Sequence, residues 1–334
     1  MKKIFYKILV FFLLVEIFTL HGQPKFSEIS GKAGSFSRLG FGARGMGMGN
    51  AMSTITTGNL SSYYNPALSA FQEGNSFQTS YSFLSLDRTL NFVNFTKRFE
   101  FSKSKSDGSK SRSTAGISIG LINAGVSKID VRDSQGIKTG EVSTSENQFF
   151  LGVANKFSDK FAIGLAFKFY YFKLFEGLSS TGFGFDIGLL YLLNNNLTLS
   201  FVLTDINSAY NWDTGQIYGT AGNTTKNTFP LLKKIGASYN FKEYGLIIAV
   251  EYENSNAKTN YLRVGTEYNI YQNFYLRAGI DKIDLSNFDV PIRPSLGFSY
   301  FYLLNSFKIG VDYAFIIEPY SSSDSHILGI NLIF

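Results

Sequence analysis

Two histidines, His21 and His326, and no cysteine leave this chain little with which to run acid–base or nucleophilic chemistry. His326 follows Ser321-Ser322-Ser323-Asp324-Ser325, the residue types of a hydrolytic triad, but a triad is defined by geometry rather than by adjacency in sequence. The absence of cysteine excludes a thiol nucleophile, a disulfide framework and Cys-ligated zinc. Asp281, Asp284 and Asp289 are carboxylates near one loop, and their spacing matches no known calcium loop. Gly40-Phe41-Gly42-Ala43-Arg44-Gly45 satisfies G-x-G-x-x-G, yet no strand–turn–helix unit surrounds it, so a dinucleotide site is excluded. The chain therefore reads as a protein without an enzymatic activity, a cofactor or a metal.

The remaining polar chemistry lies in charges at alternate positions. Glu251 and Glu253, then Arg263 and Glu267, then Arg277 and Asp281, then Lys308 and Asp312 share the parity of the small residues in their runs. A charge facing lipid from a membrane strand costs ~2–4 kcal/mol at mid-depth, so these side chains are expected to point inward. There they either line a path for a solute or tie the wall to whatever fills the interior as an ion-pair ladder, with Arg38 and Arg44 as partners.

The elements that carry these charges follow from a period of two. Phe307, Ile309, Val311, Tyr313 and Phe315 alternate with Lys308, Gly310, Asp312 and Ala314. Phe183, Phe185, Ile187, Leu189 and Tyr191 alternate in the same way with Gly184, Asp186, Gly188 and Leu190. About fourteen such runs of ~9–13 residues occupy the chain from residue 76 onward, the length a tilted strand needs to cross a bilayer. Short turns at 158–160, 194–196, 242–243, 271–273 and 304–305 alternate with longer connections at 128–144, 207–229, 282–292 and 317–324. Short turns on one side and long loops on the other are the asymmetry of an outer-membrane barrel. The stretch 102–112 is expected as a long turn on the short side, and Tyr210 and Trp212 as aromatic residues of an external loop. That loop either contacts a partner or folds over its own barrel mouth.

Composition agrees with this class. Among 334 residues, 44% are hydrophobic, 16% aromatic and only 17% charged, which opposes disorder. Lys2, Lys3 and Lys7 precede an apolar run to Leu20 and a short polar stretch, the order of a cleaved export signal. The expected organisation is a signal over 1–22, a Gly- and Ser-rich segment over 23–75 and a barrel over 76–334. The formal charge of +6 gathers on no one face, so no nucleic-acid partner is expected.

Arg38-Leu39-Gly40-Phe41-Gly42-Ala43-Arg44-Gly45-Met46-Gly47-Met48-Gly49-Asn50-Ala51, followed by Ser61-Ser62-Tyr63-Tyr64-Asn65-Pro66-Ala67, resembles the N-terminus of the PorV/PorQ family, which is related to the FadL-type outer-membrane transporters. Ser180 to Gly188, Leu262 to Tyr268 and Leu276 to Gly279 resemble later stretches of the same family. The resemblance implies a transmembrane outer-membrane β-barrel of fourteen antiparallel strands, all-β, with the N-terminal segment folded into the lumen as a plug. Arg44, Gly45, Gly47, Gly49, Asn65 and Pro66 carry the plug motif. It further implies an interaction role in type IX secretion, with secretion components and cargo C-terminal domains as partners. A FadL-like alternative is transport of hydrophobic small molecules, which requires an apolar pocket between plug and wall, open laterally where a strand is kinked.

Overall fold

The computed structural model describes residues 27–104, 110–175 and 177–334; the expected export signal lies outside them. Fourteen strands form the wall: β1 (Asn75–Phe83), β2 (Arg88–Ser104), β3 (Lys110–Arg132), β4 (Lys138–Ser158), β5 (Phe161–Phe175), β6 (Leu178–Leu192) and β7 (Leu197–Ile206), then β10 (Leu232–Phe241), β11 (Leu246–Ser255), β12 (Asn260–Tyr271), β13 (Phe274–Asp284), β14 (Arg293–Leu304), β15 (Phe307–Ile316) and β16 (Ser325–Ile333). A short hairpin, β8 (Ala209–Asp213) and β9 (Thr224–Thr228), stands in the connection after β7. Each wall strand pairs antiparallel with its neighbours, β7 pairs with β10, and β1 pairs with β16, so the sheet closes on itself. Closure leaves no unpaired edge strand in the wall among the described residues, which hydrocarbon would not tolerate.

The outward face is apolar and the inward face small or polar, as the period of two requires. Phe167, Phe183, Leu296, Tyr300, Val311 and Ile330 are exposed, whereas Gly164, Asp186, Ser295, Ser299, Asp312 and Asn331 on the opposite parity are buried. Exposed aliphatic and aromatic side chains repeated around a closed barrel form a lipid-contacting band.

The connections depart from expectation in two places. β2 and β3 stay paired to Ser104 and Lys110, so both ends of the turn expected over 102–112 are strand; residues 105–109 lie outside those described. On the other side, β3 and β4 continue to Arg132 and Lys138, which turns most of the expected 128–144 loop into a protruding hairpin. Over 128–144, Ile, Val and Thr among charged residues suit strands paired in water beyond the lipid.

Residues 27–74 run through the interior. Buried side chains along this stretch, including Phe36, Phe41, Met46, Met48, Ile55, Leu60, Leu68 and Phe71, join one core with Leu90, Phe92, Ile122, Phe150, Tyr170, Leu190 and Ile327 from the inner wall. Its one α-helix, α1 (Gly42–Gly47), lies against β1 and β13–β16, and a 3-10 turn at Pro66–Phe71 lies against β2–β6. Between them they reach both sides of the lumen.

Candidate functional site

The luminal segment is fixed first by its backbone. Asn65 caps the Pro66–Phe71 turn: its Oδ1 accepts from the Ala67 N–H at 2.9 Å, and its amide donates to the Ser53 and Leu189 carbonyls at 3.0 and 3.1 Å. Pro66 occupies the first turn, where a missing N–H costs nothing. The wall is correspondingly bare here, since a Cβ on Gly164 would lie 2.3 Å from the Pro66 carbonyl carbon. On the other side, Gly49 at φ 58° and Gly279 of β13 meet backbone to backbone, with a Gly279 Cβ falling 2.2 Å from the Gly49 nitrogen. Gly45 gives the same room to the Tyr64 hydroxyl, which accepts from the Phe41 N–H at 3.0 Å. Gly47 touches Gly297, and its carbonyl accepts from the Ser295 hydroxyl.

Charge completes the attachment. Arg44 of α1 makes a two-pronged contact with Glu267 of β12, Nε to Oε2 at 2.8 Å and Nη2 to Oε1 at 2.7 Å, and also donates to the Thr57 carbonyl. Arg277 of β13 donates to the same Glu267 at 2.6 Å and, through the Ser299 hydroxyl, connects to Asp312. Higher in the barrel Arg263 contacts Asp281 at 2.7 Å, Glu253 at 3.0 Å and Glu251 at 3.2 Å, and Asn50 of the luminal segment donates to Asp281. Glu251, Arg263, Glu267, Arg277 and Asp312 thus lie together on the inner wall. Lys308 faces the same lumen but makes no ion pair among the described residues; its ammonium lies 4.8 Å from the Phe301 ring centre.

A third cluster was not singled out from the sequence. Lys168 of β5 lies 2.7 Å from Asp186 and 2.9 Å from Asp205, and the Tyr170 hydroxyl donates to Asp205 at 2.7 Å. Lys168 shares the parity of Ala162, Gly164 and Ala166, so the rule that found the other charges applies to it equally. Asp205 has φ 63° and Asn207 φ 56°. The β6–β7 register shifts there, with Phe185 opposite Ile206 but Ile187 opposite Leu203. One extra residue in β7 makes a bulge, which bends a strand away from its partner.

Beyond the bulge the chain turns inward: a Cβ on Gly184 would lie 1.8 Å from the Ser208 hydroxyl. Tyr210 follows it and is only 2% exposed. The expectation that Tyr210 meets a partner from an external loop is thereby corrected, because its ring packs against Phe229 at 5.0 Å and Phe172 at 5.4 Å and its hydroxyl donates to Glu146. Trp212 leans on Phe172 and is partly buried. Aromatic residues in a Gly- and Asn-rich stretch do not announce on which side of the mouth they settle, because loops lack the period that fixes strand faces.

At the extracellular mouth, between the start of the luminal segment and the wall, lies a cavity of about 530 Å³. Ile29, Phe36 and Leu39 line it from the segment and Leu84, Ala124 and Val126 from the wall and its rim, while Arg88, Glu146, Lys282, Arg293 and Glu318 form a charged part of the lining. Arg38 stays folded against its own segment, donating to the carbonyls of Ala33, Lys32 and Ile29. Below this level the interior is filled apart from a void of about 20 Å³ beside Tyr63, Asp205 and Arg263 and one of about 90 Å³ beside Arg44, Glu267 and Asp312.

No protein-family model matches the sequence, and no curated protein does. Solved structures do. The toluene transporter TodX of Pseudomonas putida superposes with a TM-score of 0.53 at 15% identity, covering 88% of this chain and 96% of TodX. A TodX deltaS2S3 mutant, described as a monoaromatic hydrocarbon channel, gives 0.54 at 14%, covering 88% and 97%. A Pseudomonas aeruginosa FadL homologue gives 0.53 at 11%, covering 88% and 98%. The fold is that of FadL-type outer-membrane barrels. At these identities the likeness concerns the fold.

Proposed function

We propose that this protein admits a hydrophobic small molecule through the extracellular mouth and releases it sideways through the wall. The observation that carries this reading is the mouth cavity, whose apolar side chains belong partly to the luminal segment and partly to the wall. A site of that size and mixed lining suits a small ligand better than a protein partner. Residues 27–74 act as the plug, held by Arg44 and by the Asn65-Pro66 turn, so straight passage to the periplasm is blocked.

The way out runs along the aromatic cluster. Glu146 at the cavity edge holds Tyr210; Tyr210 packs on Phe229; Phe229 packs on Tyr170 at 4.6 Å; and Tyr170 bonds Asp205 at the bulge. Rotation of Tyr210 and Phe229 would join the cavity to the place where β6 and β7 part. The structural neighbours, transporters of the FadL type, favour this reading over the secretion role that the PorV/PorQ resemblance implies. Burial of Tyr210 removes one of the two contacts that role would use.

The test is binding of the apolar fluorophore N-phenyl-1-naphthylamine to the purified barrel. Saturable binding weakened tenfold or more by Ala124→Trp, which fills the cavity, supports the proposal. Binding indifferent to that substitution refutes it.

A further inference from the structure

Beyond the bulge in β7 the wall is not a continuous ladder. β6 pairs with β7 as far as Phe185 opposite Ile206, and its next pairing on that side is Thr181 with Asn211 of β8. Residues 182–184 therefore form a seam, with no ladder partner on that side among the described residues. A seam in a lipid-facing wall needs a cover, because hydrocarbon offers nothing to open backbone groups. Residues 205–210 supply it from the lumen. The Ala209 carbonyl oxygen lies 2.0 Å from where a Gly182 Cβ would stand, and the Ser208 hydroxyl 1.8 Å from a Gly184 Cβ. Ser208, Ala209 and Tyr210 are all buried.

This strap does not hold itself in place. Asp205 and Asn207 lie in the left-handed region, where a residue with a Cβ stays only if its surroundings hold it. The holding contacts converge on Asp205. Its Oδ1 accepts from Lys168 Nζ at 2.9 Å and from the Tyr170 hydroxyl at 2.7 Å, and its N–H donates to Asp186 Oδ1 at 2.8 Å. Lys168 also contacts Asp186 at 2.7 Å, so one buried ammonium joins β5, β6 and the strap. Two carboxylates thus share one cation. The other cations around the adjoining void are engaged elsewhere: Arg38 by carbonyls, Lys234 by Glu253, and Arg263 by Glu251, Glu253 and Asp281. Desolvation cancels much of the attraction in a buried ion pair, so the effect of this one is chiefly positional. Water entering as the strap withdraws would hydrate the excess negative charge and offset part of the cost of letting go.

We propose that residues 205–210 are a movable strap across a lateral exit, and that Lys168 is the positioning residue that keeps it shut. The inference rests on the transport reading above and names the part of the wall that must move. Tyr210 rides on the strap, so the ring that bars the way from the mouth cavity and the cover over the seam move together. Lys168 lies outside the mouth cavity and acts on the ligand only through Asp205. Its removal therefore changes the rate of exit and not the affinity of the cavity.

The chain has no cysteine, so an engineered disulfide has no competitor. Gly184→Cys together with Ser208→Cys brings two Cβ atoms to 3.0 Å, just inside the ~3.5–4.5 Å that a disulfide bridges. Two readouts are compared per folded barrel, counted by the heat-modifiable gel shift: equilibrium binding of N-phenyl-1-naphthylamine in detergent, and its uptake by cells. The oxidised pair should bind the dye as the unmodified barrel does, while uptake falls to the no-barrel rate and dithiothreitol restores it. Lys168→Met should do the opposite, raising uptake at least threefold with binding unchanged. Asp205→Asn, which keeps the side-chain volume, serves if the methionine variant does not fold. Equal uptake through the oxidised and reduced pair overturns the strap. Unchanged uptake in both the Lys168 and Asp205 variants overturns the role of Lys168. In either case dye binding and uptake by the unmodified barrel leave the transport reading standing; an unmodified barrel that binds no dye refutes that reading and the strap with it.

Discussion

Arg44 carries the heaviest duty of any residue in the luminal segment. Its two-pronged contact with Glu267 is buried, and Glu267 also serves Arg277. Removing one partner of a buried pair costs far more than the pair contributes, because a charge is left without compensation. Arg44→Ala should therefore lower unfolding stability by about 3 kcal/mol, read as a shift in the denaturant midpoint with the slope unchanged. An equal loss on replacing exposed Arg132, which pairs with Asp130 at the surface, would show that the Arg44 contact has no special weight. Tyr210 makes the opposite kind of prediction. Tyr210→Ala removes a ring between cavity and bulge, so the rate of N-phenyl-1-naphthylamine uptake by cells carrying the barrel should rise several-fold. A fall would mean that Tyr210 belongs to the binding surface rather than to a barrier.

At the scale of elements, the period of two placed the fourteen wall strands, all but the facing ends of β3 and β4 to within a few residues, because lipid on one side and a filled lumen on the other force each face to a single character. The inward charges followed from the same alternation. What alternation does not encode is distance along the barrel. Lys308 shares a face with Asp312 but sits four residues nearer the periplasm, where no carboxylate among the described residues pairs with it. Nor does alternation encode the bulge at Asp205, which interrupts the period by one residue, or the inward fold of Tyr210. The glycines and the Asn-Pro pair were legible as close packing but not in their pairing. Only the structure shows that Gly164 lies under Pro66 and Gly279 under Gly49. Gly164→Val should consequently push out the Pro66–Phe71 turn while leaving the barrel closed. Hydrogen exchange of residues 66–72 should then rise at least tenfold with strand amides still protected; unchanged protection would contradict the packing described.

For the whole molecule, the barrel is one object and its contents another, joined by a limited set of contacts. Deleting residues 27–72 should convert a tightly filled cylinder into an open one. Planar-bilayer recordings should show steady ion conductance for the deletion and none for the full chain; a silent deletion variant would mean that the wall collapses without its filling. On the proposed function, the mouth cavity is the start of a route for apolar molecules. The most direct measurement compares N-phenyl-1-naphthylamine uptake in cells bearing the intact barrel, the Ala124→Trp variant and no barrel. Uptake should be fast with the intact protein and return to the no-barrel rate with Ala124→Trp. Equal rates in all three would show that the filled lumen and the closed wall let nothing through.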